Sequence, residues 1–287
     1  MHHCQEQVRR AIHDYKMLEA DQRVLVAVSG GKDSLALWHI LSQLGYEVDG
    51  LYLGLGIADY SQASAERARK FATRESLKLH EIDLPRDVGF GVVTGAKIAK
   101  RAPCSACGLS KRHLFNQAAV QLGYPTIATG HNLDDEAAVL FGNTMRWDEE
   151  YLARQFPVLE ASNGFVRKIK PLVRLGEREM AAYCVVHEID YILDECPMAA
   201  GNKHVTYKDL LNVLEDRSPG SKAAFLFNFL DRAHQRFADI AVVERSELIP
   251  CTVCGSATTA EVCAFCRLQQ RACAGTATPV KLSGSIK

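Results

Sequence analysis

The chain of 287 residues lacks net charge and long apolar runs. Lys and Arg together number 34, as do Asp and Glu, so the formal net charge at pH 7 is +0. A neutral protein has no overall field that attracts nucleic acid, so any RNA contact must be a local basic patch. No segment is apolar over the length of a bilayer span, and the first twenty residues carry charges throughout, unlike a secretion signal. We therefore expect a soluble, cytoplasmic protein without a membrane partner.

The chain also lacks the context in which its ten cysteines would form disulfides. Disulfide-rich chains are small and secreted, whereas this one has no secretion signal and groups several cysteines in C-x-x-C pairs. Metal or redox chemistry is the better interpretation. The length and a hydrophobic content of 47% suffice for one large α/β domain and a small appendage.

A strand, a tight turn and a helix follow one another near the N-terminus. Residues 24–28 are an apolar run typical of a buried strand, and residues 35–44 have helical spacing of apolar positions. The Walker A spacing of glycines is absent. The turn nevertheless gathers backbone N–H groups, hydroxyls and a lysine at a helix N-terminus, which suits a nucleotide, and its carboxylate can orient Mg²⁺. Its residues are Ser29, Gly30, Gly31, Lys32, Asp33 and Ser34.

Further strands and helices alternate along the chain. Strands are predicted over residues 48–54, 77–83 and 126–130, with amphipathic helices between them. This alternation predicts an α/β fold with a doubly wound parallel sheet. The ligand of such a fold lies at the carboxyl ends of the strands, which is where the glycine-containing turn stands.

Carboxylates follow the strand at residues 126–130. Asp134 and Asp135 begin the next helix, where the helix dipole favours negative charge. Helix capping is one interpretation. The other is that a carboxylate at this second strand end faces the first turn and helps to hold Mg²⁺ and ATP.

Cys104 and Cys107 form a C-x-x-C pair between basic residues. Positive neighbours lower the pKa of a cysteine, so we expect thiolates here. A redox dithiol, half of a zinc site and half of an iron–sulfur site all fit this spacing. Cys196 lies in an acidic turn before a proline and is the candidate third partner.

Two other segments carry charge or thiols. A basic run is either a solvated face or an RNA backbone contact, and the two interpretations are balanced; it contains Arg167, Lys168, Lys170, Arg174 and Arg178. Near the C-terminus, two C-x-x-C pairs can close a tetrahedral zinc site; they are Cys251, Cys254, Cys263 and Cys266. At the N-terminus, His2, His3 and Cys4 do not favour a metal site.

The turn at residues 29–34 resembles the SGGxDS loop of the ATP pyrophosphatase (PP-loop) superfamily, whose members split ATP and use AMP to activate a carbonyl oxygen. Together with the motifs at residues 103–108, 130–136 and 195–197 and the C-terminal cysteine pairs, the chain resembles the tRNA 2-thiolation enzymes of the TtuA/Ncs6 type. The resemblance implies a [4Fe-4S] cluster on Cys104, Cys107 and Cys196. Three protein ligands leave one iron open to carry a hydrosulfide.

The resemblance also implies a mechanism. The C2 oxygen of a tRNA uridine attacks the α-phosphate of ATP, pyrophosphate leaves, and sulfide then displaces AMP to give 2-thiouridine. ATP is expected on the PP-loop with Gly130 and His131, Asp135 is expected nearby, and Lys111 is expected to stabilise the developing charge. The motif around Cys104 favours position 54 of tRNA; the alternatives are the wobble position 34 and an amide-forming PP-loop enzyme without a cluster. A sulfur carrier protein of the ubiquitin-like kind, a persulfide or free sulfide is the donor, and family members tend to be homodimers.

The expected organisation follows from these motifs. It comprises an N-terminal helix (1–22), a PP-loop catalytic domain (23–200), a helical extension (201–245), a zinc ribbon (246–275) and a disordered tail (276–287). The family usually begins with a zinc finger before the first helix, and this sequence starts almost at that helix. Either the finger is lost in this lineage or the start of the sequence is truncated, and in both cases the resemblance does not predict how tRNA is held.

Overall fold

The computed structural model of the protein describes residues 2–194, 196–199, 201, 203–243 and 248–273. The tail expected to be disordered, residues 276–287, lies outside the described residues. No helix in the described part combines the length and apolar character that a bilayer span requires.

A six-stranded sheet forms the centre of the protein. Its strands are β1 (Val24–Val28), β2 (Val48–Gly54), β3 (Leu79–Asp83), β4 (Thr126–Thr129), β5 (Val158–Leu159) and β6 (Arg167–Ile169). They lie in the order β3-β2-β1-β4-β6-β5, and all pairs are parallel except that of β5 with β6. The chain runs outward from β1 to β3 and then returns to β4 on the other side of β1. The predicted doubly wound sheet is therefore confirmed, and its strand order reverses between β1 and β4, where such folds bind ligands.

Twelve α-helices surround the sheet in the described residues. They are α1 (His2–Asp14), α2 (Lys32–Gln43), α3 (Ala58–Glu75), α4 (Val92–Ile98), α5 (Pro103–Leu122), α6 (Leu133–Arg146), α7 (Glu149–Ala153), α8 (Glu177–Val186), α9 (Lys203–Arg217), α10 (Ser221–Arg232), α11 (His234–Val243) and α12 (Ala264–Ala272). The predicted N-terminal helix is shorter than expected: α1 ends at Asp14 rather than near residue 22. Lys16 takes a left-handed φ of 48° and the Met17 N–H bonds the Ile12 carbonyl, which closes the helix.

Two apolar cores cover the two faces of the sheet. One contains buried side chains of α1, α2, α8 and α10, and the other contains those of α4, α5 and α12. In the first core, Trp38 of α2 is fully buried, and a Cβ on Gly50 of β2 would lie 2.5 Å from its ring. Glycine at position 50 is thus what allows α2 to pack closely on the sheet.

A small C-terminal unit packs on the second core. A hairpin of β7 (Ile249–Pro250) and β8 (Ala257–Thr258) precedes α12. Buried Phe265 and Leu268 of α12 belong to the same apolar cluster as residues of α4 and α5. The four C-terminal cysteines therefore lie on a unit that rests on the helix carrying Cys104 and Cys107.

Candidate active site

The turn between β1 and α2 has a fixed conformation. The Ser29 N–H donates to the Ser34 hydroxyl at 3.0 Å, and that hydroxyl donates to the Gly31 carbonyl at 2.9 Å. Gly30 has a left-handed φ of 76°, and a Cβ there would lie 2.4 Å from the Ser64 carbonyl oxygen. The loop therefore needs glycine for its backbone conformation and for its close approach to α3.

The end of β4 lies directly against this turn. A Cβ on Gly130 would be 3.0 Å from the Asp33 carbonyl carbon and the Ser34 nitrogen, so the two strand ends touch. The Asn132 side-chain amide donates to Asp33 Oδ1 at 3.0 Å, and Asn132 also caps α6 in a capping box with Asp135. Asn132 was missed by the sequence analysis, although its position before a helical run is a helix-start signal.

Asp135 belongs to a charged network at the mouth of the site. Its Oδ1 lies 2.6 Å from Lys208 Nζ, which also lies 3.2 Å from Glu177. Lys32 Nζ lies 2.6 Å from Glu177 and 3.2 Å from Asp33. The capping and functional interpretations of Asp135 are therefore compatible, because one carboxylate oxygen caps α6 and the other faces the network. Glu177 and Lys208 were also missed, since α8 and α9 carry no motif.

The network sets the ionisation of its members. Burial raises the pKa of Asp33, although Lys32 opposes this. Burial disfavours the charged form of Lys208, but the carboxylates of Asp135 and Glu177 outweigh it and raise the pKa of Lys208. Burial likewise disfavours the charged form of Glu177, but Lys32 and Lys208 outweigh it and lower the pKa of Glu177. Lysines held charged beside the turn can bind the phosphates of a nucleotide.

His131 lies at the edge of the same site. Its Nδ1 is 2.9 Å from the Thr129 hydroxyl. Part of His131 is exposed to solvent, but many protein atoms lie close to its ring. The resulting desolvation lowers the pKa of His131, and the opposing charge of Glu136 does not offset this. A neutral imidazole is the form expected here near pH 7.

The three candidate cluster cysteines lie in one neighbourhood, although their sulfur atoms do not form a group as tight as that of the C-terminal cysteines. Cys104 and Cys107 lie in the first two turns of α5, which begins at Pro103. The Cys104 thiol donates to the Met198 carbonyl at 3.1 Å, which holds α5 beside the segment containing Cys196. Cys104 and Cys196 both act electrostatically on the Cys107 thiol.

Burial changes the expected ionisation of Cys107. The pKa of Cys107 is raised because desolvation outweighs the positive charge of Lys111. The prediction that basic neighbours lower the pKa is therefore wrong for Cys107. Lys111 lies one turn further along α5, half-buried, and forms no ion pair with a described residue. Tyr60 faces the same thiols, since Cys196 and Cys107 add to the effect of burial in raising its pKa; the sequence analysis missed it.

One segment connects the cysteines to the nucleotide turn. The Ile192 N–H donates to the Gly30 carbonyl at 2.9 Å. Four residues later Cys196 begins the stretch that bonds Cys104 through Met198. The cysteine group and the turn are thus held by opposite ends of residues 192–198.

The basic run at residues 167–178 is mostly paired with acids. Arg167 bonds Glu160 at 2.9 Å. Three further pairs are Lys170 with Glu136, Arg174 with Asp14 and Arg178 with Asp216. Lys168 has no such pair among the described residues, and burial lowers its pKa. Four of the five cations therefore have acid partners, and the pair of Arg178 with Asp216 is the most exposed of them.

The four C-terminal cysteines form a compact thiol group. Their sulfur atoms all lie within 4.8 Å of one another. The Cys263 N–H points to Cys251 Sγ at 3.2 Å, and a hydrogen bond from Cys266 lowers the pKa of Cys263 to about 3. Four thiols with one readily ionised member fit a tetrahedral zinc ion. At the N-terminus, His3 instead pairs with Glu179 at 2.8 Å.

Comparisons with known proteins identify the family of this chain. Residues 1–207 match the model of a family described as a PP-loop domain. A Thermus thermophilus protein named tRNA-5-methyluridine(54) 2-sulfurtransferase is 49% identical over 92% of this chain and 81% of its own length. A Haloferax volcanii protein named tRNA 2-thiolation protein NcsA is 30% identical over 93% of this chain and 90% of its own length.

A solved structure has the same fold over nearly the whole chain. It is described as the U34-tRNA thiolase NcsA from Methanococcus maripaludis with its [4Fe-4S] cluster. It superposes with a TM-score of 0.79 at 25% identity and covers 97% of this chain and 89% of its own.

Proposed function

This chain belongs to the PP-loop family of tRNA 2-sulfurtransferases, and we propose that it converts a uridine of tRNA to 2-thiouridine with ATP. Position 54 is the favoured site, because the relatives that are 49%, 40% and 39% identical carry the name of a position-54 enzyme. Wobble position 34 is the alternative.

One observation carries the proposal. Residues 192–198 bond the nucleotide turn at Gly30 and the cysteine helix at Cys104. A base activated by ATP must meet a sulfur source without leaving the site, since the activated intermediate would otherwise hydrolyse. The hydrogen bonds of Ile192 to the turn and of Met198 to Cys104 support that requirement, whereas an amide-forming PP-loop enzyme has no need of them.

The three cysteines suit an iron–sulfur cluster. Cys104, Cys107 and Cys196 supply three thiols, of which Cys107 is the partly desolvated one and Cys104 is exposed. The cluster, when bound, supplies an iron without a protein ligand that can carry sulfide. Lys111 lies one turn from Cys107, and its ammonium group offsets negative charge that develops on the base as sulfur adds.

The residues of the turn bind and orient ATP in this proposal. The α2 N-terminus and the N–H groups of the turn bind phosphate oxygens, and Lys32 exchanges its carboxylate partners for the triphosphate. Asp33, fixed by Asn132, and Asp135 are the carboxylates for Mg²⁺. The uridine C2 oxygen then bonds the α-phosphorus as pyrophosphate leaves, and sulfide replaces AMP at C2.

The remaining elements of the proposal concern zinc and assembly. The C-terminal thiol group holds Zn²⁺ as a structural ion. The sulfur arrives from a carrier-protein thiocarboxylate, a persulfide or sulfide, and the enzyme acts as a homodimer.

The test is anaerobic reconstitution with iron and sulfide, followed by thiolation of unmodified tRNA with ATP. Nucleoside mass spectrometry and fragment mapping report the product and its position. We expect about four irons per chain, a broad visible absorption and a 2-thio nucleoside at position 54. Cys196→Ala should lose absorption and product, whereas the control Cys273→Ala, which changes an exposed cysteine outside the proposed set, should keep both.

Other results would reject parts of the proposal. Thiolation by Cys196→Ala at the wild-type rate would remove the cluster assignment. A product at position 34 would change the site of modification only. An adenylated intermediate that ends in an amide would favour the amide-forming alternative.

A further inference from the structure

A second cationic site lies away from the nucleotide turn. Three arginines line one cavity of about 220 Å³ between the loop before α5 and helix α12. We call this cavity the arginine pocket; it is lined by Ala99, Arg101, Ala264, Arg267, Leu268 and Arg271.

Among the described residues, no carboxylate neutralises the charges of the arginine pocket. Arg101, Arg267 and Arg271 are exposed, and none lies within 4 Å of a carboxylate of a described residue. The guanidinium group of Arg267 donates a hydrogen bond to the Val262 carbonyl at 2.6 Å. Three guanidinium groups around one cavity repel each other unless an anion lies between them. The basic run at residues 167–178 differs, because most of its cations have acid partners.

The position of the pocket relates it to both cysteine groups. Arg101 precedes Cys104 by three residues, and Arg267 directly follows Cys266. Helix α12 packs against α4 and α5 through buried side chains such as Phe265, so the arginines stand on one rigid platform. An anion in the pocket would lie beside the N-terminus of the helix that carries Cys104 and Cys107.

We propose that the arginine pocket binds a backbone phosphate of the tRNA substrate and so holds the RNA beside the cysteine site. This inference rests on the proposed function. Guanidinium groups bind phosphate oxygens in bidentate pairs, and the small side chains of Ala99 and Ala264 leave room for a phosphate. ATP has its own site at residues 29–34, so the pocket serves a different anion. A neutral protein needs such a local patch to bind RNA.

The test compares two double variants that remove the same charge. The double variant Arg101→Gln/Arg271→Gln removes two of the three guanidinium groups from the arginine pocket. Arg267 is kept because it donates a hydrogen bond to the Val262 carbonyl in the C-terminal unit. Arg232→Gln/Arg236→Gln removes two exposed arginines of α10 and α11, elements of the opposite side of the sheet. The Kd for tRNA is measured at several salt concentrations for each protein, together with zinc content, ATP binding and thiolation.

Each phosphate contact contributes about 0.7 to 0.9 to the slope of log K against log salt. We expect the pocket variant to bind tRNA about tenfold more weakly, with a slope reduced by about 1, while ATP binding stays unchanged. The control variant should keep the wild-type slope. Equal slopes for both variants and the wild type, or an equal loss in both variants, would overturn the pocket assignment.

The two proposals fail in different ways. If the wild type makes 2-thiouridine and the pocket variant binds tRNA with the wild-type slope, the pocket assignment falls and the proposed function stands. If the wild type makes no 2-thiouridine but its RNA binding depends on Arg101 and Arg271, the pocket assignment stands and the proposed function falls.

Discussion

The imidazole of His113 stacks on the ring of Phe265, with centroids 4.2 Å apart and planes 15° apart. His113 lies on α5, six residues after Cys107, and Phe265 lies between Cys263 and Cys266. The charge of His113 is among the causes that lower the pKa of Cys263. One histidine therefore joins the helix of the cysteine site to the C-terminal thiol unit.

Replacing this histidine should loosen the C-terminal unit. His113→Ala should lower the free energy of unfolding by about 1 kcal/mol, because an aromatic pair of this kind contributes about 0.5 to 1.5 kcal/mol. Urea denaturation measures the loss, and limited proteolysis should show earlier cleavage near residue 250. His113→Phe keeps the stacking and should behave much more like the wild type. Equal stability of all three proteins would show that the stacked pair does not hold the unit.

A methyl group on the nucleotide turn should abolish ATP binding. Gly30→Ala places a Cβ 2.4 Å from the Ser64 carbonyl oxygen at a positive φ, so the loop must move. Isothermal titration should detect no ATP binding at concentrations that saturate the wild type. Gly45→Ala is the matched control, since Gly45 also has a positive φ but no atom within 4 Å of a new Cβ. Gly45→Ala should lose some stability and keep its affinity for ATP. Loss of ATP binding in both variants would show that backbone strain, rather than the contact with Ser64, is the cause.

The ion pairs of Glu177 should make stability depend on acid pH. Because Lys32 and Lys208 lower the pKa of Glu177 in the folded state, its contribution is present above the unfolded pKa of about 4.5 and is lost as pH falls through the folded value. Urea titrations at several pH values should show a stability gap between wild type and Glu177→Gln that narrows below about pH 4.5.

A surface carboxyl provides the control for this pH dependence. Glu66 also pairs with a lysine, Lys70 at 2.8 Å, but solvent screens the pair. Glu66→Gln should therefore change stability less than Glu177→Gln at neutral pH. A gap for Glu177→Gln that stays constant from pH 7 to pH 3 would contradict the ion-pair account.

Removing Lys111 should slow the reaction without weakening ATP binding. Lys111→Ala should lower kcat by about 10² to 10³, the cost of losing one group that stabilises transition-state charge. Single-turnover thiolation and ATP titration measure the two effects separately. Lys70→Ala removes an exposed lysine of α3 and should leave both unchanged. A Lys111→Ala enzyme with full kcat would leave this lysine as a solvated surface residue.

The sequence by itself determined the order of strands and helices and the motifs at the turns. Apolar runs such as residues 24–28 and helical periods are local patterns, so they predict elements without knowledge of their neighbours. The resemblance, carried by the turn at 29–34 and the cysteine spacings, identified the family. Position along the chain also placed Gly130 at a strand end, where parallel strands converge.

Only the tertiary structure decided which charges meet and which are buried. Glu177 and Lys208 reach the site from α8 and α9, and no local pattern predicts such distant pairs. The raised pKa of Cys107 depends on the atoms packed around it, which sequence neighbours do not reveal. Arg167 forms an ion pair with Glu160, seven residues away in the sequence, whereas Arg174 forms one with Asp14, which is distant in the sequence. Ionisation and pairing follow distance and desolvation in three dimensions, and these arise only when the chain has folded.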